Sequence, residues 1–332
     1  MTGPPFGLQR HLDFLYDDCM RRPIPRPQET LREEFRGRLG LAGRDLPSVA
    51  AEILHSADRG KYVEEKVRLT AGEDVQIPIH VLVPKQPPPY KPVLVFPGHD
   101  PSVQYCLGNY PDPETAKTNR AADNNYAQFL AECGFLAAAV EQRGLGERQA
   151  GPVQVEEPQR SCRTLSFAYM LMGRTLMGER CWDGMCAATY LLSRPDVAPG
   201  GLGCTGHSGG GATALWLAVL DPRIRVVVVS GYFCSFRDSI LSTGHCECNY
   251  IPGILNLSEM GGLAALLAPR PFCAVSGEKD PFFPLSGAVR EFETVREAYS
   301  AQNVQEACQL AVHPGGHAYH NELSRSWLGR WL

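Results

Sequence analysis

The chain has 332 residues, 44% of them hydrophobic and 20% charged, with a formal net charge of −4. That apolar share over this length supports one large buried core. The slightly acidic balance, with no long Lys/Arg run, leaves no basic field for nucleic acid, and no apolar run reaches the ~20 residues of a membrane-spanning helix. The expected partner is a small-molecule substrate, with no nucleic acid and no membrane.

The opening Met1-Thr2-Gly3-Pro4-Pro5-Phe6 lacks the charged and apolar regions of a secretory signal, so a cytoplasmic location is expected. Twelve cysteines fit that location if reduced. Cys133, Cys186, Cys204, Cys273 and Cys308 fall in apolar, core-like segments, where a thiol acts as a small hydrophobe.

Residues 1–60 read as an N-terminal helical arm ahead of a catalytic domain over 61–332. Leu8, Leu12 and Leu15 recur at helical spacing, as do Leu31, Phe35 and Leu39 after Pro23-Ile24-Pro25-Arg26-Pro27. These stripes are expected to pack on the main domain or on a second subunit, giving a homo-oligomer through the arm. From Tyr62 the period falls to two: Val75, Ile77, Ile79 and Val81 alternate with Gln76, Pro78 and His80, and the proline suits an edge strand.

After the turn Gln86-Pro87-Pro88-Pro89-Tyr90, apolar strands alternate with helices. A strand is predicted at Val93 to Phe96, a helix at Tyr126 to Cys133, and a strand at Phe135 to Val140. A longer helix follows from Leu176 to Ser193, with Trp182, Met185, Thr189 and Leu192 on one face as core. Next come a strand at Leu202 to Thr205, a helix at Gly210 to Val219, a strand at Val226 to Val229 and an irregular stretch from Tyr232 to Ala268. The strand Phe272 to Val275, a helix from Leu285 to Ala301, the strand Gln309 to Val312 and a short terminal helix complete the chain. This alternation predicts an α/β fold with a mostly parallel central sheet and helices on both faces.

The centre of the pattern is Gly206-His207-Ser208-Gly209-Gly210, a G-x-S-x-G stretch between predicted strand and predicted helix. On such a turn the serine hydroxyl is exposed and the flanking glycines let strand and helix backbones approach closely. Ser208 is the candidate nucleophile, and the Gly209 N–H at the helix start is a candidate oxyanion donor. The overlapping Gly201-Leu202-Gly203-Cys204-Thr205-Gly206 matches a dinucleotide fingerprint, but its glycines lie within the predicted strand and the next strand ends in Ser230-Gly231 rather than an acid. A nicotinamide cofactor is therefore not expected.

A serine hydroxyl needs a base, and the base an orienting acid. Asp280 follows the strand Phe272 to Val275 and is the candidate acid, with Glu278 its rival. His317, after Gly315-Gly316, is the candidate base, with His313 and His320 competing. The second oxyanion donor is placed in Phe96-Pro97-Gly98-His99-Asp100, at the His99 N–H.

From about Tyr62 onward the chain resembles the bacterial α/β-hydrolases of the acetyl xylan esterase-like group and, more distantly, dienelactone hydrolases. The residues that carry the likeness are Gly173-Arg174-Thr175-Leu176-Met177-Gly178-Glu179-Arg180, Trp182-Asp183, Gly206-His207-Ser208-Gly209-Gly210-Gly211, Gly277-Glu278-Lys279-Asp280-Pro281 and Pro314-Gly315-Gly316-His317. The resemblance implies an α/β-hydrolase fold and a serine esterase for short acyl esters, possible substrates including acetylated carbohydrates, with Ser208, Asp280 and His317 at the triad positions. Serine in place of a cysteine nucleophile disfavours dienelactone ring-opening. An amidase or peptidase with the same triad, and a non-catalytic binding protein of the same fold, are the alternatives. The expected chemistry uses protein groups only, with no cofactor and no metal. His245-Cys246-Glu247-Cys248 holds zinc-type ligands, but two cysteines one residue apart without a second well-spaced pair are a weak set, and a structural or substrate-rim role is expected there.

Overall fold

The computed structural model describes residues 7–21, 26–46, 48–72, 75–150 and 158–332. Two helices, α1 (Gln9–Met20) and α2 (Gln28–Arg38), precede the sheet; the Pro23-Ile24-Pro25 break expected between them lies outside the described residues. Of the two apolar stripes, the second is buried within the chain. Phe35 on α2 is fully buried with its ring 5.1 Å from Trp216, and Arg32 donates to the carbonyls of Val219 and Leu266. On α1, Leu8, Leu12 and Leu15 stay exposed.

The sheet begins earlier than the sequence predicts. Strand β1 (Val49–Asp58) lies within the stretch read as helical arm and pairs antiparallel with β2 (Tyr62–Ala71). It is an edge strand exposed on both faces, so it carries no alternation to read. β2 pairs antiparallel with β3 (Val75–Pro84), which is an inner strand rather than the expected edge. Pro78 is tolerated there because pairing with the neighbour on its other side starts only at Ile79; beyond it the Pro78 carbonyl accepts from Glu141 N–H, and no ladder bond needs the missing N–H.

The remaining strands are β4 (Lys91–Phe96), β5 (Phe135–Val140), β6 (Leu202–His207), β7 (Ile224–Ser230), β8 (Phe272–Gly277) and β9 (Cys308–His313). The order across the nine strands is β1-β2-β3-β5-β4-β6-β7-β8-β9, parallel from β5 to β9. The helices between them are α3 (Pro113–Ala121), α4 (Tyr126–Glu132), α5 (Pro158–Leu171), α6 (Leu176–Ser193), α7 (Gly209–Leu220), α8 (Met260–Ala264), α9 (Leu285–Ser300) and α10 (Asn321–Trp331).

Alternation along the strands divides the core in two. Leu94, Phe96 and Val227 face α6 and α7; Val93, Val95 and Val226 face α4 and α10. Both faces are covered, which is why β5 and β8 are buried along their whole length. Helix α7 is buried all round, as its unbroken apolar sequence requires. All twelve cysteines are free thiols; Cys186, Cys204 and Cys273 are core residues as expected, whereas Cys133 is exposed and Cys308 only half-buried at strand and helix ends.

Candidate active site

Strands β4, β6, β8 and β9 run parallel, so the loops that follow them leave the sheet along one edge. His99 follows β4, Ser208 follows β6, Asp280 follows β8 and His317 follows β9. From β4 the chain steps to β5 on one side and from β6 to β7 on the other, so the carboxyl ends of β4 and β6 flank a switch point of the winding, where open parallel sheets leave a crevice.

Ser208 stands between β6 and α7 with φ 52° and ψ −122°, a conformation an L-residue holds only against a cost of about 1–3 kcal/mol. The turn is clamped by Ser208 N–H donating to the Ser230 carbonyl (2.9 Å) and Ala212 N–H donating to the Ser208 carbonyl (3.0 Å). The glycines are required by contact. A Cβ on Gly206 would lie 2.3 Å from the Gly210 oxygen, and one on Gly210 only 2.0 Å from the Phe96 oxygen. The Gly201-to-Gly206 glycines sit before and within β6, as expected for a strand rather than a phosphate loop.

His317 Nδ1 is 2.8 Å from Asp280 Oδ2, while Asp280 Oδ1 accepts from the amides of Phe282 (2.9 Å) and Phe283 (3.1 Å). Burial alone would raise the Asp280 carboxyl, but the His317 imidazole and those two amides outweigh it and hold it below its usual range. The rivals are used elsewhere. Glu278 is exposed; His313 Nδ1 accepts from Gly315 N–H, and His320 caps α10 through Leu323 N–H. Burial, reinforced by the neighbouring His317, pushes His207 down to about 3, so the ring 4.6 Å from His317 stays neutral.

Ser208, His317, Gly209 and His99 line one cavity of about 360 Å³, together with His245, Cys246, Glu247, Asn249, Phe282 and Phe283. Phe282 and Phe283 also pack on the His317 ring at 5.1 and 5.8 Å. Tyr232, Phe233 and Phe236, which follow β7, turn into the core instead: Tyr232 and Phe236 against Trp216, Phe233 against Phe272 and Phe292. A separate apolar hollow of about 390 Å³ around Phe236, Ile240 and Leu255 touches neither Ser208 nor His317.

Gly209 is the first residue of α7, so its N–H has no partner within the helix, and the His99 ring lies directly over it, 2.5 Å from where a Cβ would be. The loop carrying His99 is fixed from below. Gln142 donates to the Pro97 carbonyl and accepts from the Thr213 hydroxyl on α7 (2.6 Å), tying this loop to the helix that follows Ser208. The loop holding Gln142 is in turn held by α6. Asp183 takes Arg143 in two parallel bonds and Arg148 in a third, Glu179 pairs with Arg143, and Arg180 donates twice to the Arg143 carbonyl. The Glu179, Arg180 and Asp183 of the sequence motif thus act at one remove, by positioning. Nothing in the sequence singles out Gln142 or Arg143.

The region of Cys246 and Cys248 differs from expectation. Of His245-Cys246-Glu247-Cys248, His245 turns away to the Phe282 carbonyl (3.4 Å) and the Phe283 ring. The missing ligand set comes from elsewhere in the chain: the side-chain donors of His99, Cys162 and Cys246 all lie within 4.8 Å of one another, and Cys248 Sγ is 3.2 Å from His99 Nε2.

No family model matches the chain. It is 25% identical over 315 residues, 91% of this chain and all of the relative, to the Bacillus subtilis (strain 168) protein named "Putative hydrolase YtaP". Among solved structures it is similar to a "putative acetyl xylan esterase" from Bacteroides fragilis NCTC 9343, with a TM-score of 0.71 and 18% identity over 86% of this chain and 74% of that one. It is also similar to a glucuronoyl esterase from Solibacter usitatus, with a TM-score of 0.65 and 15% identity over 91% of each chain. Structural likeness at such identities shows a shared fold and leaves the chemistry to the site itself.

Proposed function

We propose that this chain, an α/β-hydrolase by fold, is a serine carboxylic ester hydrolase that removes short, acetyl-type acyl groups through an acyl-enzyme. The observation that carries the reading is that His317, paired with Asp280 at 2.8 Å, lines the same cavity as Ser208 on its left-handed turn.

In the proposed cycle His317 Nε2 accepts the Ser208 proton as Oγ attacks the ester carbonyl carbon. The negative charge that develops on the carbonyl oxygen is received by the Gly209 and His99 amides. His317 then gives its proton to the departing alcohol. Water attacks the acyl-enzyme with His317 again as base, and the acid leaves as Ser208 regains its proton. Asp280 keeps the His317 proton on Nδ1, so that Nε2 faces the serine as an acceptor.

The substrate class rests on the lining. Phe282 and Phe283 wall the space beside His317, which supports a small acyl group. His245, Glu247 and Asn249 offer polar groups for a hydroxylated alcohol side, in keeping with carbohydrate esters. The test is labelling with a fluorophosphonate followed by a panel of acetylated sugars, aryl esters and amides. Covalent labelling at Ser208 with acetyl-ester turnover is expected; an unlabelled chain, or amides cleaved in preference to esters, would overturn the reading.

A further inference from the structure

Around His99, three cysteines from two distant segments meet at the rim of the site. Cys162 is on α5; Cys246 caps and Cys248 lies within the single turn Glu247–Asn249; His99 comes from the loop after β4. We propose that His99, Cys162 and Cys246, with Cys248 as fourth ligand, form a binding site for a soft divalent metal ion of the zinc type, which pins the His99 loop to α5 and to the segment over the cavity.

The spacing comes first. Bonds of ~2.3 Å to sulfur and ~2.0 Å to nitrogen in a tetrahedron place neighbouring ligand atoms about 3.5–3.8 Å apart. The donors of His99, Cys162 and Cys246 lie within 4.8 Å of one another, so an approach of about 1 Å brings these three to that spacing, and Cys248 Sγ, 3.2 Å from His99 Nε2, stands nearest as the fourth. Three thiols and an imidazole are also a donor set selective for zinc over magnesium or calcium, which take oxygen.

The second observation is electrostatic. Arg180 is 1% exposed, its Nη2 lies 3.1 Å from Cys162 Sγ, and its Nη1 is buried with no hydrogen-bond partner. Among the described residues no carboxylate pairs with it, although α6 carries Glu179 and Asp183 on either side for other arginines. A buried guanidinium requires an anion. Three thiolates around a divalent cation carry a net charge of −1, and the Arg180 cation balances it. Leu145 and Leu176 pack against Cys162 and Cys248 and shut out water from this side.

Binding breaks three S–H bonds, forms three metal–sulfur bonds and one metal–nitrogen bond, and releases three protons to solvent. The ion has no role in the ester chemistry. Its effect is on position: His99 Nε2 would be held while the same residue's N–H serves as the proposed oxyanion donor. That consequence for activity rests on the esterase reading; the binding itself does not.

The test uses the full chain purified under reducing conditions without an affinity metal. Near-stoichiometric zinc by elemental analysis is expected. After removal by chelator, cobalt(II) should restore occupancy and develop the intense thiolate-to-cobalt absorption. Cys162→Ser and Cys246→Ser should each weaken that absorption and lower the melting-temperature gain on adding metal, while Cys133→Ser and Cys308→Ser leave both unchanged. If Cys162→Ser does not fold, Cys248→Ser is read in the same way. A folded chain with only trace metal and no thiolate-to-cobalt band, or a Cys162–Cys246 disulfide in a parallel preparation made without reductant, would overturn the proposal. Both readouts are taken without substrate, so they stand apart from the outcome of the esterase assays.

Discussion

Replacing Asp280 by asparagine tests the site more sharply than removing it. The substitution is isosteric, and the two oxygens of Asp280 are not equivalent: Oδ1 accepts two backbone amides, from Phe282 and Phe283, whereas Oδ2 faces His317 Nδ1 at 2.8 Å. An asparagine must place its carbonyl oxygen where two N–H groups point, because an NH₂ there would face two donors. Its NH₂ is then directed at His317 Nδ1 and donates to it. That locks the imidazole with its proton on Nε2, the atom that has to accept from Ser208. The general base is lost while the turn at Asp280-Pro281-Phe282-Phe283 keeps its hydrogen bonds. A wrong-tautomer defect of this kind costs about 10⁴ in kcat, equivalent to about 5.5 kcal/mol of transition-state stabilisation. The assay is steady-state hydrolysis of an aryl acetate by Asp280→Asn and wild type, with a thermal melt to show that the fold is kept. A variant within about tenfold of wild type would refute both the acid assignment and the tautomer reasoning.

His317→Ala is expected to be as inactive toward aryl acetate as Ser208→Ala, whereas His313→Ala and His320→Ala, whose rings serve Gly315 and the start of α10, keep most of kcat; inactive His313→Ala with active His317→Ala would reassign the base. Gly210→Ala places a Cβ 2.0 Å from the Phe96 oxygen and 2.5 Å from the Pro97 oxygen, both backbone atoms, and should destabilise the chain by at least the ~1–3 kcal/mol of overpacking; an unchanged melt would mean the elbow has slack. Burial pushes Glu141 up to about 7, so between its unfolded value of 4.5 and that pH the folded state holds a proton the unfolded state has lost, and stability falls as pH rises. Glu141→Gln, which cannot ionise, should therefore gain on wild type in melting temperature from about pH 4.5 to 7 and hold that gain above it, and a pH-independent difference would show that Glu141 ionises normally. With Phe282 and Phe283 as wall, kcat/KM for aryl esters should peak at acetyl or propionyl and fall beyond butyryl instead of gaining ~0.8 kcal/mol per methylene; a preference for octanoyl would indicate an open groove.

Much of the scaffold is legible locally. The predicted strands from Val93 onward coincide with β4 to β9 within a few residues, because strands covered on both faces are short continuous apolar runs bounded by turn residues. Where burial is weak the signal disappears. Val49–Asp58 is exposed along nearly all its length, and only the hydrogen bonds to β2 make it a strand. Helices α3 and α5 also go unpredicted; α3 buries no residue and so shows no stripe. Pro78 misleads for a related reason: proline reports a missing donor, and whether a ladder needs that donor depends on where the neighbouring strand stops.

The sequence by itself determined the turn that carries the candidate nucleophile Ser208, because the close approach of Gly206 to Gly210 and the positive φ of Ser208 arise within a few residues and leave their mark in adjacent positions. It also narrowed the candidate acid and base to loops after two late strands, since a parallel sheet delivers every such loop to one edge. Tertiary structure alone brings the Asp280 carboxylate against the His317 imidazole, while Glu278 stays exposed and His313 and His320 take other partners. It alone decided that Phe282 and Phe283 wall the cavity while Tyr232 and Phe236 join the core. The meeting of His99, Cys162, Cys246 and Cys248 around Arg180 is likewise a product of three segments packed together. Local periodicity records which way a side chain faces its own element, and a cluster assembled across the fold has no period to record.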